Sequence, residues 1–371
     1  MKSILTSLVM IISFPLFLLC AGSCQAGEKP SVRLLWPVPP NEAQFEFAGV
    51  FSSKNDFPRT KWQKILEAIF GKTPAPKLHH PKSIAVLPDG RILIAEKKAR
   101  DLRVVDFAKR KVHYLFKSSL PLFGEPTDIA LGAQEELYVA DRQKGTVLAF
   151  DRNLTPLFRL SDQVRFKRIE KIALNRAEGI IYVSDSALSK VFAFDTAGRF
   201  LFEFGGQGAQ HGQLSAPHGV AVNAEGEVFV ADTGNARIEV YEPSGTYLRT
   251  FKPGNGATPS PLEKPWDVAF DSRGRLYIID QGKIAFITCA ADGEILIATG
   301  ASRRSTHLMG FFRPSDIFID RQGRVLITDD LNERFTTWQI LTADYLADHP
   351  IRKEDIDQLL AYMEKLKKEQ E

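Results

Sequence analysis

Residues Pro217-His-Gly-Val-Ala-Val-Asn-Ala-Glu-Gly-Glu-Val-Phe-Val-Ala-Asp-Thr-Gly-Asn-Ala-Arg-Ile-Glu-Val-Tyr241 carry the pattern that decides the fold. A proline opens the stretch and the apolar run Val220–Val222 comes next. Glu225-Gly226 interrupts it, a second apolar run ends in Asp232, and a third closes at Tyr241. Short apolar runs split by an acid-glycine pair read as strands joined by a tight hairpin turn. Working outward, the same order occurs six times. The copies open at Pro81, Pro126, Ile169, Pro217, Pro265 and Pro314, and their second runs close at Glu96, Asp141, Asp185, Asp232, Asp280 and Asp329. The closing acids lie 45, 44, 47, 48 and 49 residues apart, so the pattern is a true internal repeat.

Further apolar runs occur within each unit. Third runs are Val147–Phe150, Val191–Phe194 and Ile238–Tyr241. A fourth run follows some units, as in Arg199–Phe204 and Thr246–Phe251. Four short antiparallel strands per period of about 47 residues is the arithmetic of a propeller blade. A parallel α/β solenoid would need a helical segment in every repeat, and none is readable. The fold expected is all-β, a six-bladed β-propeller with short flanking α-helices. The sixth unit, with strands expected at about 316–320, 324–328 and 334–341, lacks a fourth strand after them. Gln44–Phe51, upstream of the first unit, is alternating and apolar and is expected to supply it, leaving no unpaired edge at the seam.

The segment Ala231-Asp-Thr-Gly-Asn-Ala-Arg-Ile-Glu-Val-Tyr241, with Phe204-Gly-Gly-Gln-Gly208 and Pro217-His-Gly-Val-Ala-Val222 before it, resembles an NHL repeat. The other units match more loosely, over roughly residues 44–342 in all. Trp36-Pro-Val-Pro-Pro40 and the closing strand also resemble exported bacterial lipoproteins with this propeller. That resemblance implies a binding platform in the cell envelope.

Composition narrows the function classes. The 371 residues are 44% hydrophobic and 25% charged, with 48 basic and 45 acidic residues for a net charge of +3. Such balance argues against a nucleic-acid binder, which carries a strong basic excess. Lys2 and the apolar run Ile4–Leu19 describe a signal peptide; the run is short for a membrane span of about 20 residues. Residues 20–26 are compatible with two kinds of processing. Ala21-Gly-Ser-Cys24 resembles a lipobox, which would lipidate Cys24 and give an outer-membrane-anchored protein. Cleavage near Ala26 would release a soluble periplasmic one. The domain reading is a signal peptide at 1–23, a linker at 24–43, the propeller at 44–342 with a helical insertion near 60–71, and a C-terminal helix at 343–371. The insertion opens on Thr60-Lys-Trp-Gln63, a capping box. The C-terminal helix carries the stripe Ile356, Leu359, Leu360, Met363, Leu366.

Candidate chemistry lies at the starts of the innermost strands, which surround a propeller's channel. One ring position reads Lys82, Thr127, Glu170, His218, Trp266, Ser315. The next reads Ser83, Asp128, Lys171, Gly219, Asp267, Asp316. These differ between blades, as a site requires, so Asp128, Lys171, His218, Trp266, Asp267 and Asp316 are the channel-mouth candidates. The repeated closing acids are read instead as turn-holding groups. Asp267 and Asp316, from adjacent blades, are the candidate pair for a divalent cation such as calcium; no other cofactor is expected. Sugar-lactonase-like propellers, which resemble this architecture, hold a metal with a Glu, two Asn and an Asp. No Asn occupies either ring here. Propeller amidating lyases use several channel histidines around zinc; only His218 stands at a strand start.

Two functions are compatible with these residues. The preferred one is a non-catalytic binding or scaffold propeller that presents inter-blade loops to an envelope protein or small ligand. Arg303, Arg304, His307, Phe311 and Phe312 are its interface candidates, since arginine and aromatic residues are enriched in interface anchors. The alternative is a metal-dependent hydrolase or lyase at the channel mouth, built on Asp128, Asp267, Asp316 and His218. Membrane contact is expected only through a lipid anchor.

Overall fold

The structure is a computed structural model that describes residues 32–57, 62, 64, 75–116, 121–160, 164–254, 261–300, 304–307 and 309–368. Residues 1–23, expected from sequence as a signal peptide, Cys24, Arg303 and all of the 60–71 insertion except Trp62 and Lys64 lie outside the described residues.

Six antiparallel sheets form the blades of a propeller. Blade 1 runs through Pro81–Val86, Ile92–Glu96, Asp101–Asp106 and Lys111–Tyr114, and blades 2 to 5 repeat that order through Ile295–Gly300. The second strands, such as Leu137–Asp141, Val228–Asp232 and Leu276–Asp280, are buried at every residue. They are apolar on both faces because each blade stacks between two others. Aromatic side chains fill the space between blades: Phe286 meets Trp338 edge-on at 5.6 Å and Phe45 at 5.9 Å, joining blades 5 and 6.

Blade 6 is where the chain ends meet. Phe45–Phe51 pairs antiparallel with Arg334–Ile340, closing the ring with main-chain hydrogen bonds. A fifth strand, Leu34–Trp36, then pairs with Phe45–Phe51. The segment expected as a linker at 24–43 therefore contains a strand. Its leucines are buried against the C-terminal segment, and three residues are too short for an alternating pattern to announce them. The C-terminal part is two helices, α1 (Ala343–Asp348) and α2 (Lys353–Lys368). Leu359 is buried and Met363 packs on the same core, while Leu360 is exposed. Arg33 ties α2 to the seam through Asp355 at 3.2 Å and Glu46 at 2.7 Å. Among the described residues, no helix is long and apolar enough to cross a membrane.

The repeated acids hold the inter-blade connections. Asp280 accepts from the N–H groups of Glu263 and Lys264 at 2.8 and 3.0 Å, and from Gly282 and Lys283 at 2.8 and 3.0 Å. Asp185 does the same for Lys167, Arg168, Ala187 and Leu188. Each carboxylate thus pins the incoming loop and the following turn together. Asp280 is fully buried, so Asp280→Ala strands several backbone donors. The expected loss is roughly 3 kcal/mol in urea unfolding; a loss below about 1 kcal/mol would contradict this role.

Candidate functional site at the channel mouth

Hydrogen bonds run from blade to blade around the channel. Ser83 Oγ accepts from Ile129 N at 3.1 Å, joining blades 1 and 2. Asp128 accepts from Ile172 N at 2.7 Å, joining 2 and 3. Ser184 donates to the His218 carbonyl at 2.5 Å, joining 3 and 4. Between 4 and 5 the contact is direct, from Gly219 N to the Trp266 carbonyl at 2.9 Å. Asp267 accepts from Ile317 N at 3.0 Å and Asp316 from Ile84 N at 2.6 Å, joining 5 to 6 and 6 to 1. Gly219 allows the close approach: a Cβ there would sit 2.6 Å from Asp267 Cα.

Three carboxylates in this ring converge on one cation. Lys171 Nζ lies 3.4 Å from Asp128, 2.9 Å from Asp267 and in hydrogen-bond contact with Asp316. Burial works against the ammonium charge, but the three carboxylates outweigh it and hold the Lys171 pKa well above its usual value. Burial also pushes Asp128 up to about 6, against the pull of Lys171. Asp267 is raised well above the carboxylate range by burial, with the Asp316 charge adding to it. The pair proposed from sequence as calcium ligands, Asp267 and Asp316, is thus brought together, but around a lysine. A divalent ion there would have to displace an ammonium already seated on the carboxylates. Among the described residues, no group of three or more His, Cys, Asp or Glu could hold a metal. The donor set does not fit the metal that the lactonase-like resemblance implies.

Above this floor a cavity of about 480 Å³ opens, and its wall is mainly basic. Lys82 and Arg313 share Asp330, with Lys82 at 2.5 Å. Burial lowers the Lys82 pKa despite that partner. Arg142 and Arg168 share Glu170, whose pKa burial raises despite them. Lys97 and Arg142 reach Glu125 at 2.9 and 3.4 Å. Lys264 lies over the Trp266 ring at 5.5 Å and Arg304 over the Phe312 ring at 5.3 Å.

His218 backs the wall. Its ring lies tilted by 33° against that of Trp266, with centroids 3.6 Å apart. Nδ1 lies 3.0 Å from both the Ala216 carbonyl and Thr233 Oγ1. Burial drives its pKa down to about 3, so the imidazole is neutral, and Nδ1 carries the proton donated to the carbonyl. Nε2 then faces Glu170 at 3.6 Å.

All six channel-mouth candidates line this cavity, and of the loop candidates Arg304 and Phe312 do so too. Phe311 does not: it is fully buried beside Phe286, with ring centroids 6.4 Å apart, and anchors its loop in the core. His307 contributes its backbone, whose carbonyl accepts from Arg334 at 2.5 Å, and is not among the lining residues. Sequence reading passed over Lys97, Arg142, Lys264, Arg313 and Asp330. A signal was present. Lys97, Arg142, Gln281 and Asp330 each directly follow a repeated closing acid, and Lys264 and Arg313 each directly precede a repeat's opening proline.

The family model for the SMP-30/Gluconolactonase/LRE-like region matches residues 64–278. The chain belongs to this family. Mouse NHL repeat-containing protein 3 is 24% identical over 189 residues, 47% of this chain and 53% of that protein. Rat peptidylglycine alpha-amidating monooxygenase is 25% identical over 242 residues, 62% of this chain and 24% of that protein. The chain therefore spans about a quarter and about half of the length of these two curated relatives. A solved structure from Bacteroides thetaiotaomicron, of unknown function, superposes with a TM-score of 0.59 at 16% identity, over 79% of this chain and 76% of that one. That likeness shows the shared fold alone. The NHL-like six-bladed propeller read from the repeats is the fold of this family member.

The neutral His218 yields a pH signature. Its pKa falls from 6.5 to about 3 on folding, so the unfolded chain binds the proton first. Its contribution is complete above about pH 6.5 and is lost as pH falls towards 3. Between pH 5.5 and 4.5, wild type should lose about 1.4 kcal/mol more than His218→Gln in urea unfolding. Parallel curves would contradict a neutral, buried imidazole.

Proposed function

We propose that this propeller is a non-catalytic binding platform of the bacterial cell envelope, exported through its N-terminal signal, whose working face is the channel mouth. The observation that carries this reading is Lys171. It occupies the point where the channel carboxylates converge, while those carboxylates also hold the blades together. The groups a metal-dependent hydrolase or lyase would need are committed to structure. The wall above them presents cations and aromatic rings in an open concave surface, the composition of an interface anchor. Arg304 and Phe312, contributed by the loop before blade 6, bring the loop surface and the channel mouth into one face. Membership of a propeller family does not itself choose between binding and catalysis.

The test is capture of tagged protein from gently solubilised envelopes beside an Arg304→Ala/Phe312→Ala variant. Wild type should retain a partner near one-to-one stoichiometry. The variant, with an unchanged melting curve, should retain at least about fivefold less. Equal capture by both would remove the mouth as the working face. Nothing specific with wild type would end the platform reading.

A further inference from the structure

The chemistry of the wall says more about what the mouth takes. Seven cationic side chains line it above the Lys171 floor, against the three carboxylates Glu125, Glu170 and Asp330 that pair with them. Among the described residues, Lys264 and Arg304 have no carboxylate partner. Each lies over an aromatic ring instead. A ring holds a cation in place without cancelling its charge. A carboxylate in the same place would have neutralised it. The wall therefore keeps positive charge fixed in position and facing an open space.

The space itself bounds the ligand. A cavity of about 480 Å³ falls in the range of small-molecule sites. The floor's three carboxylates and Lys171 together carry a formal charge of −2, which offsets only part of the wall's excess of four cations and leaves the mouth net positive. Arginines at Arg142, Arg168, Arg304 and Arg313 add planar, forked donors that match phosphate and carboxylate oxygens.

We infer that the channel mouth binds a small molecule carrying two or more oxyanion groups, phosphate or carboxylate. The inference builds on the mouth as the working face and gives the class of its ligand. Several cations from different blades surround one space, so a single negative charge engages only part of the wall. A multiply charged ligand bridges blades 5 and 6, through Lys264 and Arg304, to the pairs on blades 1 to 3.

Titration calorimetry at low salt on the purified full chain tests this with pyrophosphate and citrate as probes and acetate as the monoanion. Pyrophosphate or citrate should bind at least about tenfold more tightly than acetate, and Lys264→Ala/Arg304→Ala should weaken that binding by about tenfold or more. Lys109→Ala/Lys111→Ala, exposed residues at the last hairpin of blade 1, should leave it unchanged. Acetate binding as well as citrate, equal loss in both double variants, or no binding of either multivalent probe would each overturn the inference. Partner capture that persists while both probes fail leaves the platform and removes the oxyanion site. Probe binding without a captured partner supports the site and removes the platform.

Discussion

A closed ring of hydrogen bonds around the channel is the constraint on which the rest of this structure depends. Each blade must be joined to its neighbour where the innermost strands begin, and there is little room for side chains there. The chain meets the need with short polar groups: Ser83, Asp128, Ser184, Asp267 and Asp316, and bare backbone at Gly219. Buried backbone donors left unpaired would weaken the fold, so these residues are fixed by architecture before any ligand is considered. The outer seam obeys the same logic, with Phe45–Phe51 closing blade 6 through main-chain pairing.

Using three aspartates for these contacts creates an electrostatic problem, and Lys171 answers it. Burial is the main barrier to ionising each carboxylate, and repulsion between neighbouring carboxylates adds to it. The raised Asp128 and Asp267 pKa values express that barrier, and the raised Lys171 pKa expresses the compensation. Removing one member of a buried ionic cluster leaves charge without a partner, which is strongly destabilising. The ammonium that offsets the carboxylates is covalently part of the chain. With the floor committed in this way, the proposed recognition falls to the wall above it. There, cations are held by shared carboxylates or by aromatic rings.

The repeat was legible because its signals are local: a proline, a glycine turn and a closing acid recur at nearly constant spacing. The ring positions were legible as a set, since strand starts in a propeller must face the channel. What Lys171 does there was not. Its side chain crosses to blades 2, 5 and 6, and no spacing in one blade encodes contacts made across a ring. Phe311 and Phe312 illustrate the same limit. They are adjacent and alike in sequence, yet one is buried beside Phe286 and the other stands under Arg304. The loop's path decides between them. Blade 6 also repeats a side-chain device of blade 4. Asn235 and Arg237 bond Asp232. Asn332 bonds Asp329, while Arg334 grips the carbonyls of the incoming loop.

The account stands most directly on Lys171 as the cation of the channel floor. Urea unfolding of wild type and Lys171→Met, each with chelator and with millimolar calcium, measures that. Wild-type stability should be the same in both conditions, and the variant should lose roughly 3 kcal/mol or more. Wild type destabilised by the chelator, with Lys171→Met as stable as wild type, would contradict the account and return the carboxylates to a metal ion.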